Sequence, residues 1–339
     1  MRKKRIAITM GEPGGVGPEV LVKALYCAEI REYCSPLIIG DAGVIKEAVT
    51  LTRLPLKVRS ISSPSKSKPS LGEIQALDIK SRSTFNKGAP SRNAGEAVVR
   101  YIKKAVELAL KNDVDAIVTA PISKESLKMA GFRWPGHTEL LAELTKTKDY
   151  AMMFVSDKLK LTLCTIHIPL KNVPEKINER LVLRTIRLAK KGAGMLGIKN
   201  PRIAVAGLNP HAGESGIMGR EEVESIIPAV EIAIREGVEV SGPYPPDVVF
   251  HKAYNGAFDM VVCMYHDQGL IPFKMIAFDT GVNVTVGLPI IRTSPDHGAA
   301  FDIAWENKAD PSSMLEAIKL AAKMELRVKS YGHRSCYKE

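Results

Sequence analysis

The stretch Met260-Val-Val-Cys-Met-Tyr-His-Asp-Gln-Gly-Leu270 is almost wholly apolar and then turns abruptly to histidine and aspartate. A buried strand gains about 1.5 to 3 kcal/mol for each large apolar side chain it hides, and an unpaired buried polar group costs a similar amount. His266 and Asp267 therefore need a partner, and water at the sheet edge, a metal ion or a substrate would each serve. The pattern recurs. Leu161-Thr-Leu-Cys-Thr-Ile-His167 ends another apolar run in histidine, and Ile203-Ala-Val-Ala-Gly-Leu-Asn-Pro-His211 places one just past a third. In parallel α/β folds ligands gather at the carboxyl ends of strands.

Working outward, apolar runs of strand length alternate with longer amphipathic segments. Strands are expected at Arg5–Thr9, Pro36–Gly40, Leu56–Ile61, Ala116–Ala120, Ala151–Val155, Leu161–His167, Arg202–Leu208, Met260–Tyr265 and Val282–Val286. Helical spacing marks Asn93–Lys111, Pro174–Leu196, Glu221–Glu236 and Ser312–Lys329. This is α/β layering with substantially parallel pairing. The Ser-, Lys- and Pro-rich segment Ser62 to Arg92 reads as a long surface loop with a short helical piece.

A chain of 339 residues is comfortable for two domains, and so for a cleft. At 45% hydrophobic and 25% charged it has an ordinary globular composition. The five cysteines (Cys27, Cys34, Cys164, Cys263, Cys336) show no CxxC pairing, which predicts a reduced, cytoplasmic protein. The basic start Met1 to Arg5 precedes an apolar run too short for export, and no stretch approaches a membrane span. The Asn283-Val-Thr285 sequon then carries no glycosylation meaning.

The net charge of +11 raises nucleic-acid binding. The excess lies at the N-terminus, in Lys66 to Arg92, along Arg180 to Lys191 and in the tail after Arg327; the helical charges fall between apolar positions, as on a solvated face, with no aromatic residues among them. Anionic small substrates, or plain solubility, account for it better.

Three imidazoles can hold a divalent ion and leave room for a substrate oxygen, although each alone is equally a loop cap. Arg292, Thr293 and Ser294 offer donors suited to phosphate or carboxylate, with Lys274 and Asn283 nearby in sequence. His297 and Gly298 stand before an expected helix, Ala299–Glu306, whose N-terminus would favour an anion. Thr9-Met-Gly-Glu-Pro-Gly-Gly-Val-Gly-Pro-Glu19 is a tight turn between strand and helix that fits neither GxGxxG nor the Walker pattern. In Pro135-Gly-His-Thr-Glu139, His137 and Thr138 open a helix, and capping suffices for Thr138. Asp247 is a candidate general base, metal-shell carboxylate or N-cap.

Taken together, Thr119-Ala-Pro-Ile-Ser-Lys124, Gly136-His-Thr-Glu139, Asn209-Pro-His-Ala-Gly-Glu214, Tyr265-His-Asp-Gln-Gly-Leu-Ile-Pro-Phe-Lys274 and Leu288-Pro-Ile-Ile-Arg-Thr-Ser294 with Asp296-His-Gly298 resemble the 4-hydroxythreonine-4-phosphate dehydrogenase family of pyridoxal phosphate biosynthesis. The match runs in order along nearly the whole chain. The resemblance implies an isocitrate/isopropylmalate-dehydrogenase-like α/β fold with two α/β/α domains around a cleft, residues 1–135 with 285–339 forming one and 136–284 the other. It also implies a homodimer whose active sites lie between subunits, and no nucleic-acid or membrane partner.

His167, His211 and His266 match the ligands of a divalent metal (zinc, magnesium or cobalt), one of them supplied by the partner subunit. Residues matching His137, Thr138, Lys274, Asn283 and Arg292 contact a phosphorylated four-carbon hydroxy or amino acid. NAD or NADP binds without a Rossmann fingerprint near the loop after Gly287, for which Asp296 and His297 are further candidates.

The implied reaction oxidises 4-phosphooxy-L-threonine to 2-amino-3-oxo-4-phosphooxybutanoate, which loses carbon dioxide to give 3-amino-2-oxopropyl phosphate. Asp247 or Asp267 would accept the alcohol proton. Two departures stand out: the N-terminal turn carries Glu12 where aspartate is more frequent, and Ser123 replaces a frequent asparagine. They leave open a threonate or erythronate 4-phosphate dehydrogenase and, less favoured, an aromatic cis-dihydrodiol dehydrogenase. A binding protein for anionic metabolites is the alternative from outside enzymology.

Overall fold

The computed structural model describes residues 2–67, 70–81 and 84–326. Twelve strands form one sheet: β1 (Lys4–Thr9), β2 (Cys34–Gly40), β3 (Lys57–Ile61), β4 (Glu73–Asp78), β5 (Ala116–Thr119), β6 (Ala151–Val155), β7 (Lys160–Leu163), β8 (Ile203–Ala206), β9 (Val240–Tyr244), β10 (Met260–Cys263), β11 (Val282–Val286) and β12 (Arg292–Pro295). Their spatial order is β3-β4-β2-β1-β5-β12-β11-β6-β7-β10-β8-β9. The six strands from β3 to β12 run parallel, as do the four from β7 to β9. Between these blocks β11 pairs antiparallel with both β12 and β6, and β6 with β7.

Because the inner strands of both parallel blocks are largely buried, helices must cover both faces. Helices Gly17–Tyr26, Ala42–Thr52 and Ser312–Lys323 belong to the first block, as does Arg92–Leu110, which packs on β1, β2 and β5. On the second block Glu179–Met195 packs on β7, β8 and β10, while Pro246–Tyr254 and His266–Ala277 join them over a separate apolar cluster. In that cluster Phe273 meets Phe154 edge to face with ring centroids 5.7 Å apart. The expected α/β layering is the architecture observed.

Parallel pairing of β7, β10 and β8 brings the chain exits that carry His167, His266 and His211 to one end of that block. Gly269 fixes the second of these. A Cβ there would sit 3.0 Å from Cys263 Sγ and 3.1 Å from Leu161 Cδ1, so only glycine lets helix His266–Ala277 settle this closely on β7 and β10. Gln268 ties the exits together: its Oε1 accepts from Met264 N at 2.6 Å, and its Nε2 donates to Gly207 O at 2.7 Å.

Several expectations need correcting. The segment 62–92 is not all loop: it contains β4, whose Ile74, Ala76 and Leu77 are buried between β3 and β2. β9 and β12 were not anticipated, since Ser-Gly-Pro and Arg-Thr-Ser-Pro lack the apolar run expected of a strand. The helix expected at Ala299–Glu306 is a series of turns, in which Ala300 (φ 42°) and Trp305 (φ 64°) take left-handed conformations that interrupt a helix. His297 and Gly298 therefore do not open a helix. Thr138 is not a cap either, because Gly136 occupies that position. Asp247 likewise lies within the first turn of its helix, after the N-cap Pro245. The helix expected to reach Lys329 ends at Lys323, where Met324 turns to extended backbone (φ −64°, ψ 149°), and the basic tail and Cys336 lie outside the described residues. Among the described residues no helix is long and apolar enough to cross a membrane.

Candidate active site

A cavity of about 340 Å³ opens where β5 and β12 meet the second block, lined by Thr119, Lys124, His137, Thr138, Glu139, His167, Lys274, Asn283, Arg292, Ser294, Asp296 and His297, among others. Eight of the sequence candidates thus share one wall: His137, Thr138, His167, Lys274, Asn283, Arg292, Asp296 and His297.

Arg292 is its centre. β12 lies between β5 and β11, so an arginine at its start faces polar side chains of both neighbours. The guanidinium donates from Nη2 to Thr119 Oγ1 at 2.7 Å and from Nε to the same oxygen at 3.2 Å. Its Nη1 donates to Asn283 Oδ1 at 3.2 Å and Thr285 Oγ1 at 3.0 Å. All these partners are neutral. Burial lowers its pKa to about 9, with Glu139 pulling the other way, so it remains a cation at neutral pH. A buried cation held by neutral groups is poised for an anion.

His137 opens helix His137–Leu144, whose Leu140 and Leu141 anchor it in the core. Its Nε2 is buried without a hydrogen-bond partner. Burial, and then the Arg292 charge, hold its pKa well below the usual imidazole range, so the ring is neutral. Lys274 Nζ lies 3.2 Å from Asp296 Oδ2, and burial raises the Asp296 carboxyl pKa while Lys274 lowers it.

His167 and His266 lie together, ring centroids 5.7 Å apart. Partial burial lowers the His167 pKa, aided by the charges of Lys124 and His266, which favours the neutral ring that ligates a metal. His266 Nδ1 and Asp267 Oδ1 are 2.7 Å apart, a bond of the kind that orients a metal-binding imidazole through its second nitrogen. His211 does not complete the set within the chain: among the described residues no three His, Cys, Asp or Glu side chains gather closely enough to hold a metal ion.

His211 is exposed in a turn where residues 211 to 215 all have positive φ. Buried Glu222 holds this turn, its Oε1 accepting from both Leu208 N and Asn209 N at 2.8 Å. Such strained backbone persists only where its surroundings fix it.

Asp247 and Asp267 are exposed and do not line the cavity. Gly287 lies apart at the other end of β11, where a Cβ would meet Asp149 O at 2.3 Å and its carbonyl accepts from Lys191 Nζ at 3.1 Å. Its left-handed φ of 110° serves that turn, not the cavity. Sequence reasoning gave no role to three wall residues, Thr119, Lys124 and Glu139, although all lie in quoted motifs. The signal for Thr119 is its place at the carboxyl end of β5, the same rule that singled out the histidines.

The family model for pyridoxal phosphate biosynthetic protein PdxA matches residues 32–321. A 4-hydroxythreonine-4-phosphate dehydrogenase of Desulforapulum autotrophicum is 50% identical over 94% of this chain and 94% of its own. A D-threonate 4-phosphate dehydrogenase of Cupriavidus necator is 46% identical over 95% of this chain and 97% of its own. The crystal structure of 4-hydroxythreonine-4-phosphate dehydrogenase from Klebsiella pneumoniae superposes with a TM-score of 0.88 at 43% identity, covering 95% of this chain and 99% of that one. The chain belongs to the pyridoxal phosphate biosynthetic protein PdxA family and is an oxidoreductase of the dehydrogenase type.

Proposed function

We propose that the chain oxidises 4-phosphooxy-L-threonine with NAD or NADP, in the presence of a divalent cation, to 2-amino-3-oxo-4-phosphooxybutanoate, which decarboxylates to 3-amino-2-oxopropyl phosphate. The observation that carries this reading is the meeting, in one cavity, of a buried Arg292, Lys274 and neutral His137 with His167 of the imidazole pair. Arg292, Lys274, Asn283 and the Thr138 hydroxyl hold the phosphate, and that remote binding positions C3 of the substrate. His137, neutral and unpartnered at Nε2, donates to or accepts from a substrate oxygen.

The donor set fits a divalent ion in part: two adjacent imidazoles, one already oriented by a carboxylate. We assign the third position to His211 of a second copy. Apolar side chains are exposed on the segments that carry the histidines: Leu170 (66%) three residues after His167, Ile217 (76%) six residues after His211, and Met275 (81%) and Phe278 (71%) at the far end of the helix that His266 begins. Exposed apolar surface of this kind calls for a partner surface, and a twofold homodimer is the commonest solution.

When bound, the cation would supply Lewis acidity for loss of the alcohol proton and for decarboxylation, and the nicotinamide would supply the hydride acceptor. Asp267, bonded to His266, and Asp247 remain the two proposed proton acceptors, both exposed and outside the cavity lining. Asp296 and His297, on the cavity wall, would hold the cofactor.

Residues 1–135 with 285–339 act as one lobe and 136–284 as the other. The free thiols of Cys27, Cys34, Cys164 and Cys263 suit a cytoplasmic setting. Mixing the pure protein with NAD or NADP, a divalent ion and 4-phosphooxy-L-threonine, and following absorbance of the reduced nicotinamide, tests the reading. Absorbance growth that a chelator abolishes is expected. No reduction with this compound or with threonate or erythronate 4-phosphate would overturn it in favour of a binding protein.

A further inference from the structure

Resting on that reading, we propose that Glu139 makes this site select a substrate with an ammonium group at C2 over one with a hydroxyl there. The two substrates named for this chain's relatives, 4-hydroxythreonine 4-phosphate and D-threonate 4-phosphate, both carry a phosphate and a carboxylate. They differ in charge only at C2, which bears an ammonium in the first and a hydroxyl in the second.

The cavity wall is built for anions, with Lys124, Lys274 and Arg292 contributing positive charge. It holds two carboxylates. Asp296 is neutralised by Lys274 at 3.2 Å. Glu139 makes no hydrogen bond and no ion pair among the described residues, and its charge acts only at longer range, favouring the protonated forms of His167, Arg292 and Tyr150.

An unpaired carboxylate in an anion pocket opposes phosphate binding unless the ligand brings a cation to it. The C2 ammonium is such a cation, and a C2 hydroxyl is not. Glu139 follows directly on His137 and Thr138 in the first turn of helix His137–Leu144, so residues that hold the substrate and the one that reads C2 share a single rigid turn. A carboxylate in a first helical turn also favours the helix dipole. That purely structural role affects both substrates alike, whereas discrimination does not.

The test compares kcat/KM for 4-phosphooxy-L-threonine and D-threonate 4-phosphate in the wild type, Glu139→Gln and Glu139→Asp. Loss of a charge-assisted hydrogen bond predicts a fall of about tenfold or more for the amino substrate in Glu139→Gln. The same change predicts a rise for the threonate compound, which no longer meets a repelling charge. Glu139→Asp keeps the wild-type order of preference, and it decides the matter if the glutamine variant does not fold. Equal factors for both substrates, or a wild type that prefers the threonate compound, would overturn the assignment while leaving the proposed chemistry intact. A wild type that reduces no cofactor with either compound overturns the proposed function, and this assignment with it.

Discussion

Arg292 and Thr119 lie on the adjacent strands β12 and β5, 2.7 Å from Nη2 to Oγ1, and their contact joins the two strands at the cavity. Arginine's fork spans three hydroxyl or amide acceptors at once; a lysine ammonium cannot reach them all. Arg292→Lys is therefore expected to raise KM for the phosphorylated substrate about tenfold to a hundredfold. Steady-state kinetics checks this, and an unchanged KM removes Arg292 from the phosphate site.

Lys274 and Asp296 supply a pH-dependent prediction. Burial already raises the Asp296 pKa, so this group stabilises the fold at low pH and loses that contribution as pH rises through its folded value. Lys274→Met removes the charge that limits the shift. The variant is expected to lose more stability relative to wild type at pH 8 than at pH 5. Urea unfolding at the two pH values measures the difference, and a gap that narrows toward pH 8 contradicts the pairing.

Glu12 titrates in the same direction for a different reason. It is wholly buried in the N-terminal turn, its two carboxyl oxygens lack partners of good geometry, and burial raises its pKa from 4.5 to about 7 against weaker pulls from Ser126, Ser123 and Gly14. The neutral form is the stable one, so its contribution is complete below pH 4.5 and is lost as pH rises through 7. Glu12→Gln is expected to match wild type near pH 4.5 and to exceed it at pH 8 by about 3 kcal/mol. Parallel stability curves for the two proteins would show that Glu12 is ionised at little cost.

What the sequence made legible follows from where side chains point. Ala151–Val155 and Val282–Val286 were bounded correctly because each is a short, largely buried run, apolar on both faces in the first and with its three valines on one face in the second. Arg292–Pro295 escaped as a strand because its buried side chains are mostly polar: Arg292 finds partners across the sheet at Thr119, Asn283 and Thr285, and Thr293 at Ala317 O of a covering helix, which no local pattern reveals. The histidines stood out by ending apolar runs. The neighbours of His266 showed neither that Asp267 bonds its imidazole nor that His167 lies alongside. Glu139 looked like an ordinary first-turn acid, since its significance lies in the cations around it, all distant in sequence.

In the proposed function one metal site draws His167 and His266 from one copy of the chain and His211 from another. Two inactive variants, His167→Ala and His211→Ala, are mixed, dissociated and reassociated, and the rate of nicotinamide reduction is measured. Hybrid dimers of the proposed arrangement carry one intact site, so the mixture is expected to recover about a quarter of wild-type activity. A mixture as inactive as its components, despite demonstrated exchange of subunits, would contradict the shared site.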